Sequence, residues 1–312
     1  MPADPQDVAR FIQSHPEPVG SVSIPNIELP FTTDRNFVED VANKFLAAVK
    51  HAGEIYRFLS GEKGEGQLVT EISMDETDAP QTPVELLIIL AAIADEDIPI
   101  QTIAPKFTGR FNKGVDYAGN VAQFAKEFNE DIAAISFAVN TYGLPHSLKL
   151  SVHSGSDKFS IYQSIHEAVK ISGAGLHLKT AGTTWLEELT GLAESGGSGL
   201  AVAREIYAGA YSQRAELCAP YATVIDIDFV TLPRPDAVNG WSSERFTSTL
   251  RHDQGNKEYN PGFRQLLHVG FKVGAKMGDR YLKELHSHQT VISRNVTTNL
   301  FERHIRPVFL GL

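Results

Sequence analysis

LVTEISM (residues 68–74) decides the fold. Leu68, Ile72 and Met74 share one side of an extended chain, and Val69, Glu71 and Ser73, followed by Asp75, share the other. The same division recurs along the sequence. In LKLSVH (148–153), Leu148, Leu150 and Val152 oppose Lys149, Ser151 and His153. In GLHLK (175–179), Leu176 and Leu178 oppose His177 and Lys179, and in QLLHVG (265–270), Leu267 and Val269 oppose Leu266, His268 and Gly270. A parallel strand covered on both faces reads as nearly continuous Val, Ile and Leu. These segments instead offer apolar groups to covering helices and charged groups to the other side. In a barrel that other side is the interior, and enzymes of this type gather their working residues there, at the C-terminal ends of the strands. Carboxylates, lysines and histidines so placed must be paired or metal-bound, because burying them alone is costly.

Further candidate strands are SVSIP (21–25), IQTIA (100–104) and TVIDI (223–227). Helical patterns fall between the strands at 36–59, 83–94, 121–140, 161–171, 184–193, 200–218 and 277–297, with Thr82 as an N-cap before Pro83. Strand–helix–strand spacing implies βαβ units and a parallel sheet. The expected fold is therefore α/β, a (β/α)8 TIM-like barrel in one domain over residues 1–312. About seven candidate strands stand where eight close a barrel, so its N-terminal strands are the expected gap and residues 1–66 a divergent part. The Gly-rich SGGSG (195–199) lacks the Gly-Lys-Ser/Thr of a phosphate loop and reads as a turn between helices. His286 and His288 lie two apart in a helical pattern and do not share a face, while Phe159, Tyr162 and Trp185 read as packing residues.

Composition sets the remaining bounds. With 312 residues, 42% hydrophobic and 21% charged, the chain is an ordinary globular protein rather than a disordered one. A formal net charge of −10 with no basic block argues against nucleic acid as a partner. No apolar run reaches the roughly 20 residues of a membrane span, and the start, MPADPQDVARF, lacks the regions of a secretory signal. A cytoplasmic chain with no membrane partner is expected. Cys218 is the only cysteine, which excludes an intrachain disulfide and makes a cysteine-built metal site untenable.

Four segments carry a resemblance: EISMDETDAPQTP (71–83), FTGRFNKGVDYAGN (107–120), SVHSGSDKFSIY (151–162) and HLKTAGTTWLE (177–187), with RQLLHV (264–269) as a fifth in order. Together they resemble the tagaturonate epimerase family, metal-dependent barrel proteins that interconvert tagaturonate and fructuronate. The resemblance weakens between residues 193 and 262. It departs from the family at 21–29, where SVSIPNIEL replaces a strand ending in Asp and His, and after His268, where GFKVG replaces a Thr-Tyr-Gly stretch. Family members extend further at the N-terminus, so this chain resembles a shortened member whose site could be completed by another chain. A homo-oligomer is left open.

The resemblance implies a small-molecule sugar acid as substrate and a divalent metal ion, Zn²⁺, Mn²⁺ or similar, as cofactor. Epimerisation at the carbon bearing the hydroxyl β to the ketone cannot proceed by simple enolisation. Retro-aldol cleavage, rotation and re-addition is one route; transient oxidation by a nicotinamide is another, for which no dinucleotide fingerprint is present. Glu71, His153 and His268 are the expected metal ligands, with the oxygen and nitrogen donors such an ion accepts. His177 either ligates or supports a ligand beside the substrate. Asp75 and Glu76, at the mouth of the strand, are acid/base and substrate-facing candidates. Lys106, Lys158 and Lys179 hold the substrate carboxylate or polarise its hydroxyls, and Asp157 pairs with Lys158 as a relay or an ion pair. Arg264 suits a bidentate carboxylate clamp, and Asp226 is a reserve ligand. Two other readings stay open: another sugar isomerase or aldolase on the same scaffold, and a catalytically silent relative that binds a sugar acid.

Overall fold

The computed structural model describes residues 3–64 and 66–312; Met1 and Pro2, at the start of the chain read above, and Glu65, in its divergent part, lie outside them. The chain divides into two compact units. One comprises Met1–Thr108, Asn120–Val152 and Glu167–His177; the other comprises Gly109–Gly119, His153–His166 and Leu178–Leu312.

The first unit is built on a sheet. Strands β3 (Glu71–Ser73), β4 (Thr102–Ala104), β5 (Lys149–Val152) and β6 (Gly175–Leu178) stand in that order, with β3–β4 and β4–β5 parallel. Helices α3 (Pro83–Asp95) and α4 (Val121–Tyr142) make the connections. Helix α3 starts where the sequence places it. Thr82 Oγ1 accepts from the Glu85 N–H at 3.2 Å, and Glu85 Oε2 accepts from the Thr82 N–H at 2.7 Å, which closes a reciprocal cap. Its apolar residues Leu86 to Ile93 are all buried because α2 (Arg35–Lys63) and α4 pack against it. Helix α1 (Pro5–Ser14) packs on α2 in turn.

The strand expected at 21–25 does not join this sheet. Gly20–Val22 (β1) pairs antiparallel with Phe31–Thr33 (β2), with Val22 opposite Phe31. The link between them, containing Pro25 and Pro30, is too short for a parallel crossover, which needs a dozen or more residues.

The second unit is helical. Helices α6 (Ala181–Glu194), α7 (Gly197–Ser212) and α11 (Pro261–Val269) enclose its core, with α10 (Ser243–Leu250) and α14 (Gln289–Thr297) against α6. Leu186, Leu189, Ile206, Tyr207, Phe246 and Phe263 are fully buried in that core. Shorter helices α8 (Arg214–Cys218), α9 (Pro235–Asn239), α12 (Phe271–Lys276) and α13 (Asp279–Ser287) complete it, and residues Thr298–Leu310 (α15) form a wide π-helix. Helix α5 (Phe159–Ser172) begins in this unit and ends in the other.

Two further strand expectations are corrected here. Residues 265–270 lie in and just after α11. Asn260 caps that helix by accepting from the Phe263 N–H at 2.8 Å, and Pro261 occupies its first turn. Phe263, Leu266 and Leu267 fall at helical spacing, a period that the alternation at 266–270 conceals. Residues 223–227 are irregular: the Val224 carbonyl accepts from the Lys113 N–H at 2.8 Å and the Asp226 N–H donates to Gln265 Oε1 at 2.9 Å, in place of a strand neighbour. Among the described residues the parallel sheet has four strands and no closed barrel is formed.

Candidate functional site

On the sheet, register brings polar groups together. Glu71 pairs with Thr102 across β3 and β4, and Thr102 Oγ1 donates to Glu71 Oε2 at 2.8 Å. The His177 ring on β6 lies with Nδ1 at 2.8 Å from Ser151 Oγ and 3.2 Å from Glu71 Oε2. Glu71, Thr102, Ser151 and His177 therefore form one polar cluster. The turns at the strand ends are tied by side chains. Lys106 Nζ donates to the Thr77 carbonyl, the Lys106 N–H donates to Gln81 Oε1 at 2.8 Å, and Ser73 Oγ donates to Asp75. Glu76 is exposed.

In the helical unit the SVHSGSDK stretch folds around a buried carboxylate. Ser154 and Asp157 take positive φ angles of 51° and 60°, a conformation that costs a non-glycine residue energy and needs local support. The Asp157 N–H donates to His304 Nε2 at 3.1 Å, and Ser156 Oγ sits 2.8 Å from the same nitrogen. Because Nε2 accepts, His304 is the neutral tautomer with its proton on Nδ1, donating to the Asn299 carbonyl at 2.8 Å. Arg264 Nη2 donates to Asp157 Oδ2 at 2.5 Å, while Nε and Nη1 donate to the carbonyls of Gly114 and Leu250 at 2.6 and 2.9 Å. Burial alone would raise the Asp157 carboxyl. The Arg264 guanidinium, with His252 and His304, overrides it and holds the group well below the usual carboxylate range.

Lys158 is enclosed beside this pair. Its ammonium donates to the carbonyls of Val115, Asn112 and Ser156 at 2.6, 2.9 and 3.2 Å, and burial pushes its pKa down to about 7. Asp157, Lys158 and Arg264, all read from sequence as site residues, are thus fully buried supports that fix the walls of the site.

The cleft they support has a volume of about 100 Å³. It is lined by Lys113, Ser154, Lys179, Gly182, Thr183 and His268, among others. Lys113 Nζ donates to Ser154 Oγ at 2.7 Å, and Lys179, just before α6, is exposed at the rim. The first-turn backbone of α6 faces the same space through Ala181, Gly182 and Thr183, and this end of the helix favours negative charge. Gly182 has no room for a side chain, since a Cβ there would meet His268 Nε2 at 2.1 Å. Burial, then the charges of Lys113, Arg264 and Lys158, push His268 down to about 3, so its imidazole is neutral with a free lone pair. Sequence reasoning found Lys179 and His268 but missed Lys113 and Gly182, which lie in FNKGVDY (111–117) and HLKTAGTTWLE (177–187).

His153 is half-buried in the second unit. Asp226 is on the surface, 3.0 Å from Arg110 Nη1. The expected trio Glu71, His153 and His268 has the donor chemistry of a divalent ion. Among the described residues, however, no group of three or more His, Cys, Asp or Glu is gathered closely enough to hold one. The fit is one of donor type and not of assembly. No helix among the described residues is long and apolar enough to cross a membrane.

A parallel sheet with covering helices, together with a helical unit that holds a lysine-lined cleft, defines an α/β protein. Solved structures share this fold. Fructuronate-tagaturonate epimerase UxaE from Cohnella laeviribosi, in its native form, matches with a TM-score of 0.76 and 22% identity over 98% of this chain and 58% of that one. A glycerol complex of that enzyme matches with a TM-score of 0.73 and 23% identity, over 98% and 60% of the two chains. A tagaturonate/fructuronate epimerase from Thermotoga maritima is 33% identical over 154 residues, 49% of this chain and 30% of that protein. The sequence model of the family described as UxaE, tagaturonate epimerase, matches residues 21–306, and the chain belongs to this family. It spans less than two thirds of the length of the relatives it matches.

Proposed function

We propose that this chain acts as a hexuronate epimerase of the tagaturonate-to-fructuronate type, with the Lys113–Lys179–His268 cleft as the part of its site that receives the sugar acid. One observation carries the reading: two lysines and a helix N-terminus converge on a neutral, half-buried histidine within a single small cleft. The substrate carboxylate sits against Lys179 and the α6 N-terminus, where the positive charges meet it. Ser154 and Thr183 offer hydroxyls to the sugar.

The inversion proceeds by retro-aldol chemistry in this reading. A base removes the proton of the β-hydroxyl, the adjacent carbon–carbon bond breaks to give an aldehyde and an enediolate, the aldehyde turns, and re-addition forms the opposite configuration. Unliganded His268 is too weakly basic for that task. A bound carboxylate would offset the charge of Lys113 and so move His268 upward, although burial is the larger cause of its depression. Asp157, Arg264 and Lys158 hold the loop backbones that shape the cleft. A divalent ion also belongs to the proposal, with Glu71 as a candidate donor; it would supply charge stabilisation to an enediolate, and His268 acts here as the base rather than as its ligand.

The test is epimerisation of tagaturonate followed by NMR, with metal content measured on the same preparation. Lys179→Met should raise KM by roughly tenfold or more, as expected for loss of a charged contact, and Glu71→Ala should lower bound metal. Turnover untouched by Lys179→Met would remove the cleft from the mechanism.

A further inference from the structure

The helical unit contains a second, larger cavity of about 490 Å³, which shares no lining residue with the cleft. That volume lies in the range of small-molecule sites, roughly 300–1,000 Å³. Its walls come from α6, the turn after α10, α14 and the π-helix α15. π-Helical geometry is rare and is frequently found at functional positions.

The lining has two tiers. Three guanidiniums, Arg251, Arg294 and Arg303, contribute positive charge. Arg303 is oriented by its bond to the His252 carbonyl and by the Phe159 ring, 4.2 Å from its guanidinium carbon. Arg251 and Arg294 each contact Glu194 and keep further N–H donors. The other tier is polar and buried. Asn299 and His252 are each 2% exposed. Nε2 of His252 completes no hydrogen bond, while Glu187 Oε1 lies 3.6 Å from Arg264 Nη2 and Asn299 interacts with the Glu187 carboxyl. Burial pushes the Glu187 carboxyl up, with Arg264 offsetting only part. Buried polar atoms are nearly always paired, and these lie in residues that line the cavity, within its wall.

We propose that this cavity is a binding site for a small polyhydroxylated anion, a sugar acid or sugar phosphate. The arginines take its carboxylate or phosphate, and Asn299, His252 and Glu187 exchange hydrogen bonds with its hydroxyls. Guanidinium forks match both head groups, and neutral amide and imidazole groups match hydroxyls, which donate and accept. The site is independent of the epimerase reading, since binding here requires no turnover.

The experiment is isothermal titration of the whole chain with gluconate, with glycerol 3-phosphate and, as the uncharged control, with glycerol. At least one anion should bind saturably in the millimolar range or tighter, and the stronger of the two identifies the head group. Arg303→Met and Asn299→Leu should each weaken it by roughly tenfold or more, while Lys179→Met, in the separate cleft, leaves it unchanged. Arg303 is only partly buried, so its variant remains informative if Asn299→Leu fails to fold. The proposal is overturned if neither anion saturates, if glycerol binds as well, or if Lys179→Met removes the binding and Arg303→Met does not. Those outcomes mean solvent alone in the cavity, a site indifferent to charge, and binding in the cleft.

Discussion

Arg264 and Asp157 form a fully buried ion pair, with Nη2 and Oδ2 2.5 Å apart, joining helix α11 to the loop before α5. Arg264 also ties Gly114 and Leu250 through their carbonyls, so one side chain fastens three segments of the helical unit. Removing one partner of such a pair leaves the other charge buried without compensation. Arg264→Met should therefore cost about 3–5 kcal/mol, measured by urea denaturation. A loss under about 1 kcal/mol, the scale of an exposed pair, would contradict the buried arrangement.

Acid should reveal the same pair. The folded pKa of Asp157 is depressed, so its contribution is fully present above the unfolded value of about 3.9 and is lost as pH falls through and below it toward the folded value. Melting temperature should fall steeply from pH 4.5 to 2.5 in the wild type and less steeply in Asp157→Asn. Parallel curves would show that Asp157 has no depressed pKa.

Lys158 predicts a slope at the alkaline end. Its folded pKa of about 7 lies below the ordinary value of 10.5, so the unfolded chain binds more protons between them and stability rises with pH across that window. The contribution is present above 10.5 and is lost as pH falls through 7. Denaturation midpoints at pH 7 and 9.5 should differ in the wild type, and the difference should shrink in Lys158→Met. An identical rise in both would assign it to other groups.

Gly182→Ala should damage the cleft without damaging the helix. Alanine is the better helix former by about 1 kcal/mol, but its methyl would collide with His268 Nε2. The expected outcome is a melting temperature lowered by the displacement of His268 together with substrate affinity reduced by roughly tenfold. Unchanged affinity would show that His268 is not held as described.

Thr82→Ala tests the start of α3. Loss of the reciprocal cap should lower stability by about 1 kcal/mol and leave substrate binding intact.

The sheet was legible because each strand carries its own signature. Glu71, Ser151 and His177 alternate with apolar neighbours, and their pairing follows from register. The start of helix α3 was legible because Thr82 and Pro83 are local signals. The failures came where two periods fit one segment. Leu267 and Val269 satisfy an alternating pattern while Phe263, Leu266 and Leu267 satisfy a helical one, and the deciding residues, Asn260 and Pro261, lie upstream. The roles of Asp157, Lys158 and Arg264 depend on partners 107 residues apart in one case. No local reading separates a buried support from a residue that meets substrate. His304, which fixes the loop through Ser156 and Asp157, sits in a π-helix for which the sequence offers no periodic signal.

The cleft around His268 is proposed to serve hexuronate epimerisation. The direct measurement is turnover of tagaturonate by the purified chain and by His268→Gln, each supplied with Zn²⁺ or Mn²⁺, with melting temperatures recorded alongside. The account predicts fructuronate formation by the wild type and a loss of roughly a hundredfold or more in a variant that remains folded, the scale of a lost acid/base group. Equal turnover by both proteins, or none by a folded, metal-supplied wild type, would contradict it.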